Sequence, residues 1–121
     1  MRARTRNRSP ADVRLTPVAL VTGSARGIGK AIATRLAHDG HDIALNDIPA
    51  NADQLEATAK EIRATGRKVT TVIADVSVPE QVTAMVAKVA ADQGGLNVMV
   101  ANAGIAKVAA LSISRPRNGT R

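Results

Sequence analysis

The sequence predicts an α/β fold built on a parallel sheet, and three observations predict it. Short apolar runs rich in Val, Leu, Ile and Ala recur at 17–22, 42–47, 68–74 and 96–101. Their brevity and nearly continuous apolarity fit strands buried on both faces. The stretches between them repeat their apolar residues at helical spacing, and a crossover helix between buried strands implies parallel neighbours with right-handed connections. The order β-α-β-α-β-α-β is complete by residue 104, with no internal repeat of the solenoid kind.

Each element has its own local signals. Pro17-Val-Ala-Leu-Val-Thr22 is the first strand, and Gly23 to Gly29 is a glycine-rich turn. Ile28, Ala31, Ile32 and Leu36 then share one helical face, and Asp39-Gly40 stops that helix. Asp42 to Asp47 is the second strand. Asn51 with Gln54 three residues on reads as a capping box for a helix that buries Leu55, Ala59 and Ile62, with Gly66 as its left-handed cap. Lys68 to Ala74, rich in β-branched residues, is the third strand. Ser77-Val-Pro-Glu80 is a second capping box, with Pro79 in the first turn, where its missing N–H costs little. Val82, Met85, Val86 and Val89 form the stripe of a third helix that ends at Gly94-Gly95. Leu96 to Ala101 is the fourth strand, followed by Asn102-Ala103-Gly104. The pattern fails after Ile105.

The chain of 121 residues carries a formal net charge of +7, but the charge is unevenly placed. Residues 1–16 hold five Arg against Asp12, and 115–121 hold Arg115, Arg117 and Arg121. Residues 17–114 carry nine basic and nine acidic side chains, so the body is electrically balanced. Arg-rich ends of this composition are expected to be solvated and disordered. The N-terminal one also has the loose look of an organellar transit peptide, without its apolar helical face. No secretory apolar region and no run of 18 apolar residues is present, which points to the cytoplasm and against a membrane span. The absence of Cys excludes disulfides, thiolate-held metals and thiol nucleophiles, and no metal site is expected. The absence of Phe, Trp and Tyr excludes stacking of their rings on bases, which weakens a single-strand nucleic-acid reading, and any acid–base chemistry by a phenol.

The most informative segment is Thr22-Gly23-Ser24-Ala25-Arg26-Gly27-Ile28-Gly29. It follows a strand and opens a helix, the setting a dinucleotide's pyrophosphate requires. Glycines tolerate positive φ and let backbone approach the phosphates, while free N–H groups and the helix dipole favour an anion. Gly29 also permits close helix–strand packing. Asp47 ends the second strand 18 residues after Gly29. Its spacing fits an acid on the adenosine ribose hydroxyls, which would repel a 2′-phosphate and favour NAD over NADP. It equally fits an Asp opening a turn before Pro49. Arg26 either pairs with a 2′-phosphate or is simply solvated. Asp75, with the Val76 N–H, is placed to meet an adenine, or else serves as a common helix entry. Asn102-Ala103-Gly104 puts a small-residue turn at a strand C-terminus, where ligands sit in open α/β sheets; Asn102 alternatively ties neighbouring strands together. His38 and His41 flank the turn at Gly40 with no carboxylate or Cys cluster in sequence.

These four segments together resemble the short-chain dehydrogenase/reductase family. Residues 22–29 look like its TGxxxGIG loop, and Asp47 matches its acidic position after the second strand. Ala74-Asp75-Val76 is similar to its adenine-contacting pair, and Asn102-Ala103-Gly104 to its NNAG motif with Ala101 replacing the first Asn. Asn46-Asp47-Ile-Pro and Met99 to Gly104 resemble the acetoin/diacetyl reductase and butanediol dehydrogenase branch. The resemblance covers 17 to about 107 and implies an NAD(P)-dependent oxidoreductase with a Rossmann-like, doubly wound parallel sheet. It divides the chain into a basic tail (1–16), a cofactor-binding half-domain (17–107) and a second basic tail (108–121).

The family's catalytic residues, an Asn on a fourth helix, a Ser and a Tyr-x-x-x-Lys pair, have no counterpart here. The resemblance therefore implies a truncated fragment of about four strands, ordered 3-2-1-4. It would keep the ADP half of the cofactor site, without hydride transfer of its own. It also makes strand four an apolar edge, which invites self-association. A non-catalytic dinucleotide-binding or interaction module with basic tails is the alternative. A tail-driven nucleic-acid binder, which would show steep salt dependence, is the third.

Overall fold

A computed structural model describes residues 16–102. The expected tails, and Ala103 and Gly104 of the strand-four turn, lie outside the described residues.

The four apolar runs form strands β1 (Val18–Val21), β2 (Asp42–Asp47), β3 (Val69–Ile73) and β4 (Val98–Val100). The helices are α1 (Gly27–His38), α2 (Ala52–Arg63), preceded by a 3₁₀ turn at Pro49–Asn51, and α3 (Pro79–Gln93). The sheet is parallel throughout, in the order β3-β2-β1-β4. β1 is a central strand and its four residues are all buried, which explains their uninterrupted apolarity.

Alternate residues face opposite helical layers, so the sheet is doubly wound. Ala19, Val21, Ile43 and Leu45 pack with Ala33 and Ala37 of α1 and Leu55, Ala59 and Ile62 of α2. Val18, Leu20, Ala44 and Val72 pack with Met85 and Val89 of α3. Small Ala residues on α1 let its backbone lie close to the sheet. Fully burying each Leu, Ile or Val side chain contributes about 1.5–3 kcal/mol. These layers hold the C-terminal ends of all four strands on one edge of the sheet.

The helix ends differ in detail from the sequence reading. Neither capping box forms. Asn51 precedes α2 without a side-chain cap, and its amide donates instead to Asp47 Oδ1 at 2.9 Å. The residue capping α3 is Val78, while Ser77 Oγ donates to Asp75 Oδ1 at 2.7 Å. In both cases the polar side chain donates to a nearby carboxylate, and that charge-assisted bond fixes its orientation. The glycine stops hold: Gly40, Gly66 and Gly94 have φ of 106°, 93° and 81°.

β4 is an edge of the sheet among the described residues. Met99 on it is 40 % exposed, and Val98 and Val100 are half-buried against the α1/α2 layer. The expected result is concentration-dependent association of the 121-residue chain in light scattering, reduced by Met99→Lys at the edge. A strictly monomeric protein at every concentration would overturn that expectation.

Candidate functional site

The segment after β1 turns sharply and enters α1, and its glycines do two separate jobs. Gly23 and Gly27 have φ of 63° and 64°, a conformation a side chain disfavours. A Cβ on Gly27 would meet nothing within 4 Å, so conformation alone selects glycine there and the space beside it is open. Gly29 lies inside α1 with no positive φ. A Cβ there would strike the Gly23 carbonyl and come within 2.8 Å of Asn102 Nδ2. Close approach of helix to loop therefore selects glycine at 29. The expectation of close packing holds, with the loop carbonyl and the strand-four turn as neighbours.

The loop is bolted to the sheet on both sides. Towards β4, Thr22 N–H donates to Val100 O at 3.1 Å, and Asn102 N–H donates to Thr22 Oγ1 at 3.0 Å. Asn102 Nδ2 donates to Gly23 O at 3.2 Å, so Asn102 ties the two strand ends together. Towards β2, Ser24 N–H donates to Asn46 O at 2.9 Å and Ser24 Oγ accepts from Asn46 N–H at 3.0 Å. Ala25 N–H donates to Asp47 Oδ2 at 3.0 Å, and Thr58 Oγ1 of α2 donates to Ala25 O at 2.7 Å. Thr22 and Ser24 are fully buried as a result.

Past Ala25 the chain emerges. Arg26 is extended and exposed, and it forms no salt bridge among the described residues. Ile28 is 72 % exposed. The first turn of α1 contains no acidic residue and has no side-chain cap. Its leading N–H groups have no partner within the helix, and the dipole makes that end electropositive.

Asp47 is 9 % exposed and its carboxylate is already engaged. Besides Ala25 N–H, it accepts from Ile48 N–H and Asn51 Nδ2 on Oδ1, both at 2.9 Å. The last two bonds are those of an Asp that opens a turn, and the first anchors the glycine loop. Asp75 is half-buried just beyond β3, and its Oδ1 accepts from Ser77 N–H at 2.9 Å. Gln81 Oε1 accepts from Asp75 N–H at 2.7 Å, fixing the turn, and Val76 is buried. Thr22–Gly29, Asp47, Asp75–Val76 and Asn102 thus all lie at or just past the C-terminal ends of the parallel strands. The two His residues lie on the other side: His41 Nδ1 is 3.1 Å from Leu36 O in the turn before β2. No cluster of His, Cys, Asp and Glu that could hold a metal occurs among the described residues. No helix among them is long and apolar enough to cross a membrane.

Sequence reasoning missed Asn46, Thr58 and Gln81, and gave Asn51 a capping role in place of its bond to Asp47. Asn46 did carry a signal, as a polar residue inside an apolar strand. Thr58 and Gln81 are ordinary helix residues whose partners are set by folding.

The short chain dehydrogenase family model matches residues 17–117. A short-chain dehydrogenase/reductase of Armillaria gallica is 54 % identical over 88 residues, covering 73 % of this chain and 34 % of that protein. L-2,3-butanediol dehydrogenase of Corynebacterium glutamicum is 40 % identical over 94 residues, covering 78 % of this chain and 36 % of that one. The butanediol branch is therefore only weakly indicated. The crystal structure of a blue fluorescent protein from a metagenomic library, in complex with NADPH, superposes with a TM-score of 0.70 at 41 % identity. That match covers 74 % of this chain and 36 % of the other. The matched stretch spans about a third of the length of these relatives.

Proposed function

The chain belongs to the short-chain dehydrogenase family, and on that premise we propose that it binds the ADP half of a nicotinamide dinucleotide. The carrying observation is the glycine loop: a first helical turn without acid or cap, opened by Gly27 at φ 64° beside free space. That arrangement fits a pyrophosphate, whose oxygens need N–H donors and no intruding Cβ. The N–H groups of the first turn of α1 would hold it, with Thr22, Gly23, Ser24, Ile28 and Gly29 shaping the loop. Asp47 would face the adenosine ribose, Asp75 and Val76 the adenine, and Asn102 the far side of the cleft. When bound, the nicotinamide supplies hydride chemistry. This chain's own residues bind and orient the ADP portion.

The Asp47 carboxylate supports NAD over NADP, since a 2′-phosphate beside it is repelled. Arg26, exposed on the loop, favours the phosphate instead, as does the NADPH held by the blue fluorescent protein that this chain resembles. The 121 residues contain no Tyr, so no phenol of this chain serves as acid or base. We propose that the chain alone transfers no hydride, and that the oxidoreductase activity of its relatives needs residues beyond these.

Calorimetric titration of the chain with NAD and ADP-ribose tests the reading. Saturable binding of both with comparable affinity is expected, together with loss of all heat in Gly27→Asp, where a carboxylate opposes the pyrophosphate. NAD binding much tighter than ADP-ribose would reveal a nicotinamide site of the chain's own. No heat with either ligand would refute the ADP site.

A further inference from the structure

Asn46 is the most deeply buried polar side chain of β2, 1 % exposed between the fully buried Leu45 and the nearly buried Asp47. An amide in such a place is costly unless its hydrogen bonds are met. Its bonds run in two directions. The main-chain N–H and C=O are both committed to Ser24 of the glycine loop: Oγ lies 3.0 Å from the N–H, and Ser24 N–H lies 2.9 Å from the carbonyl. The carboxamide reaches the other way. Its Nδ2 donates to Val72 O at 3.1 Å and Ala74 O at 3.2 Å. Ala74 lies one residue beyond the last paired residue of β3, and Ala74 leads directly into Asp75 and Val76. The backbone bond from Ala74 N–H to Asp47 O, at 3.1 Å, ends the ladder, and Asn46 carries the connection past it.

We propose that Asn46 is a positioning residue that sets the spacing between the pyrophosphate loop and the adenine-side segment 74–76. The inference rests on the ADP-site reading above and deepens it. One residue holds Ser24 with its backbone and Ala74 with its side chain, so the two ends of an ADP moiety are received at one fixed separation. An amide supplies the donor that this link needs. A carboxylate at 46 would set an acceptor against two carbonyls, and an alkyl group would remove the side-chain bond to Ala74 beyond the ladder.

The test uses the full chain with ADP-ribose and with inorganic pyrophosphate, which occupies the loop alone. In Asn46→Ala, ADP-ribose affinity is expected to fall about tenfold, the equivalent of one or two net hydrogen bonds. Pyrophosphate affinity is expected to stay unchanged, and Asn46→Asp to show the same split with a larger loss. Equal losses for both ligands would make Asn46 a merely structural residue and overturn the inference, as would no loss for either. A second measurement needs no variant. On titrating the wild-type chain with pyrophosphate, the amide resonances of Val76 and Ser77 should shift in step with those of Gly27 and Gly29. Saturation of the loop signals with 76 and 77 unmoved would overturn the coupling even if the variants failed to fold. Wild-type protein that binds neither ligand would refute the ADP-site reading itself, and this inference with it.

Discussion

Gly29→Ala should abolish ADP-ribose binding and lower the melting temperature by about 4–20 °C, the consequence of an overpacking cost of about 1–3 kcal/mol in a small domain. The added methyl meets the Gly23 carbonyl and the Asn102 amide, both of which are held by the sheet. Neither is the loose end of a flexible side chain, so relief requires α1 to move away from the loop. That movement shifts the first-turn N–H groups proposed to receive the pyrophosphate. Gly27→Ala provides the contrast. Its methyl meets open space, and the cost is conformational, about 1–2 kcal/mol for a left-handed residue. Thermal melts and calorimetry of the pair should therefore show the larger loss of stability at 29. A Gly29→Ala protein that melts like wild type would mean the helix and loop are not in close contact.

Asp47→Ala should be the most damaging change to a charged residue. It removes the acceptor of three N–H donors, those of Ala25, Ile48 and the Asn51 side chain, in a place only 9 % exposed. Leaving buried donors unpaired costs about 1–3 kcal/mol, and the loop loses its anchor at Ala25. Asp47→Asn keeps an acceptor oxygen but not the charge, so it should retain more stability. Both variants should shift the preference between NAD and NADP towards NADP, because the repulsion of a 2′-phosphate disappears. Parallel titrations with the two dinucleotides measure the ratio. A ratio unchanged in Asp47→Asn would assign Asp47 to anchoring alone and place cofactor choice elsewhere, with Arg26 the next residue to change.

Much of this architecture was legible in the sequence because it rests on local patterns. β2 was bounded at both ends by composition alone, and the other strands within two residues. The same run of Val18 to Val21 that marks a strand also marks it as central, since only a strand covered on both faces tolerates four apolar residues in succession. Gly23 and Gly27 were legible because a positive φ is a property of the residue's own backbone. The capping boxes failed for the opposite reason. Asn51 and Ser77 match the motif in sequence, but in the fold their side chains are oriented by donating to Asp47 and Asp75.

The sequence by itself therefore determined the strand and helix order and the place of the glycine loop. These follow from spacing, glycine conformation and apolar periodicity, all of which act over a few residues. Folding decided what those residues do to one another. Asp47 becomes the anchor of Ala25, Gly29 the gap into which a carbonyl fits, and Asn46 the bridge between loop and third strand. Each depends on atoms 6 to 73 positions apart in the chain, the widest being Gly29 and Asn102. Their contact exists only once the parallel strands have been brought into register, because a hydrogen bond or a clash is decided within a few tenths of an ångström.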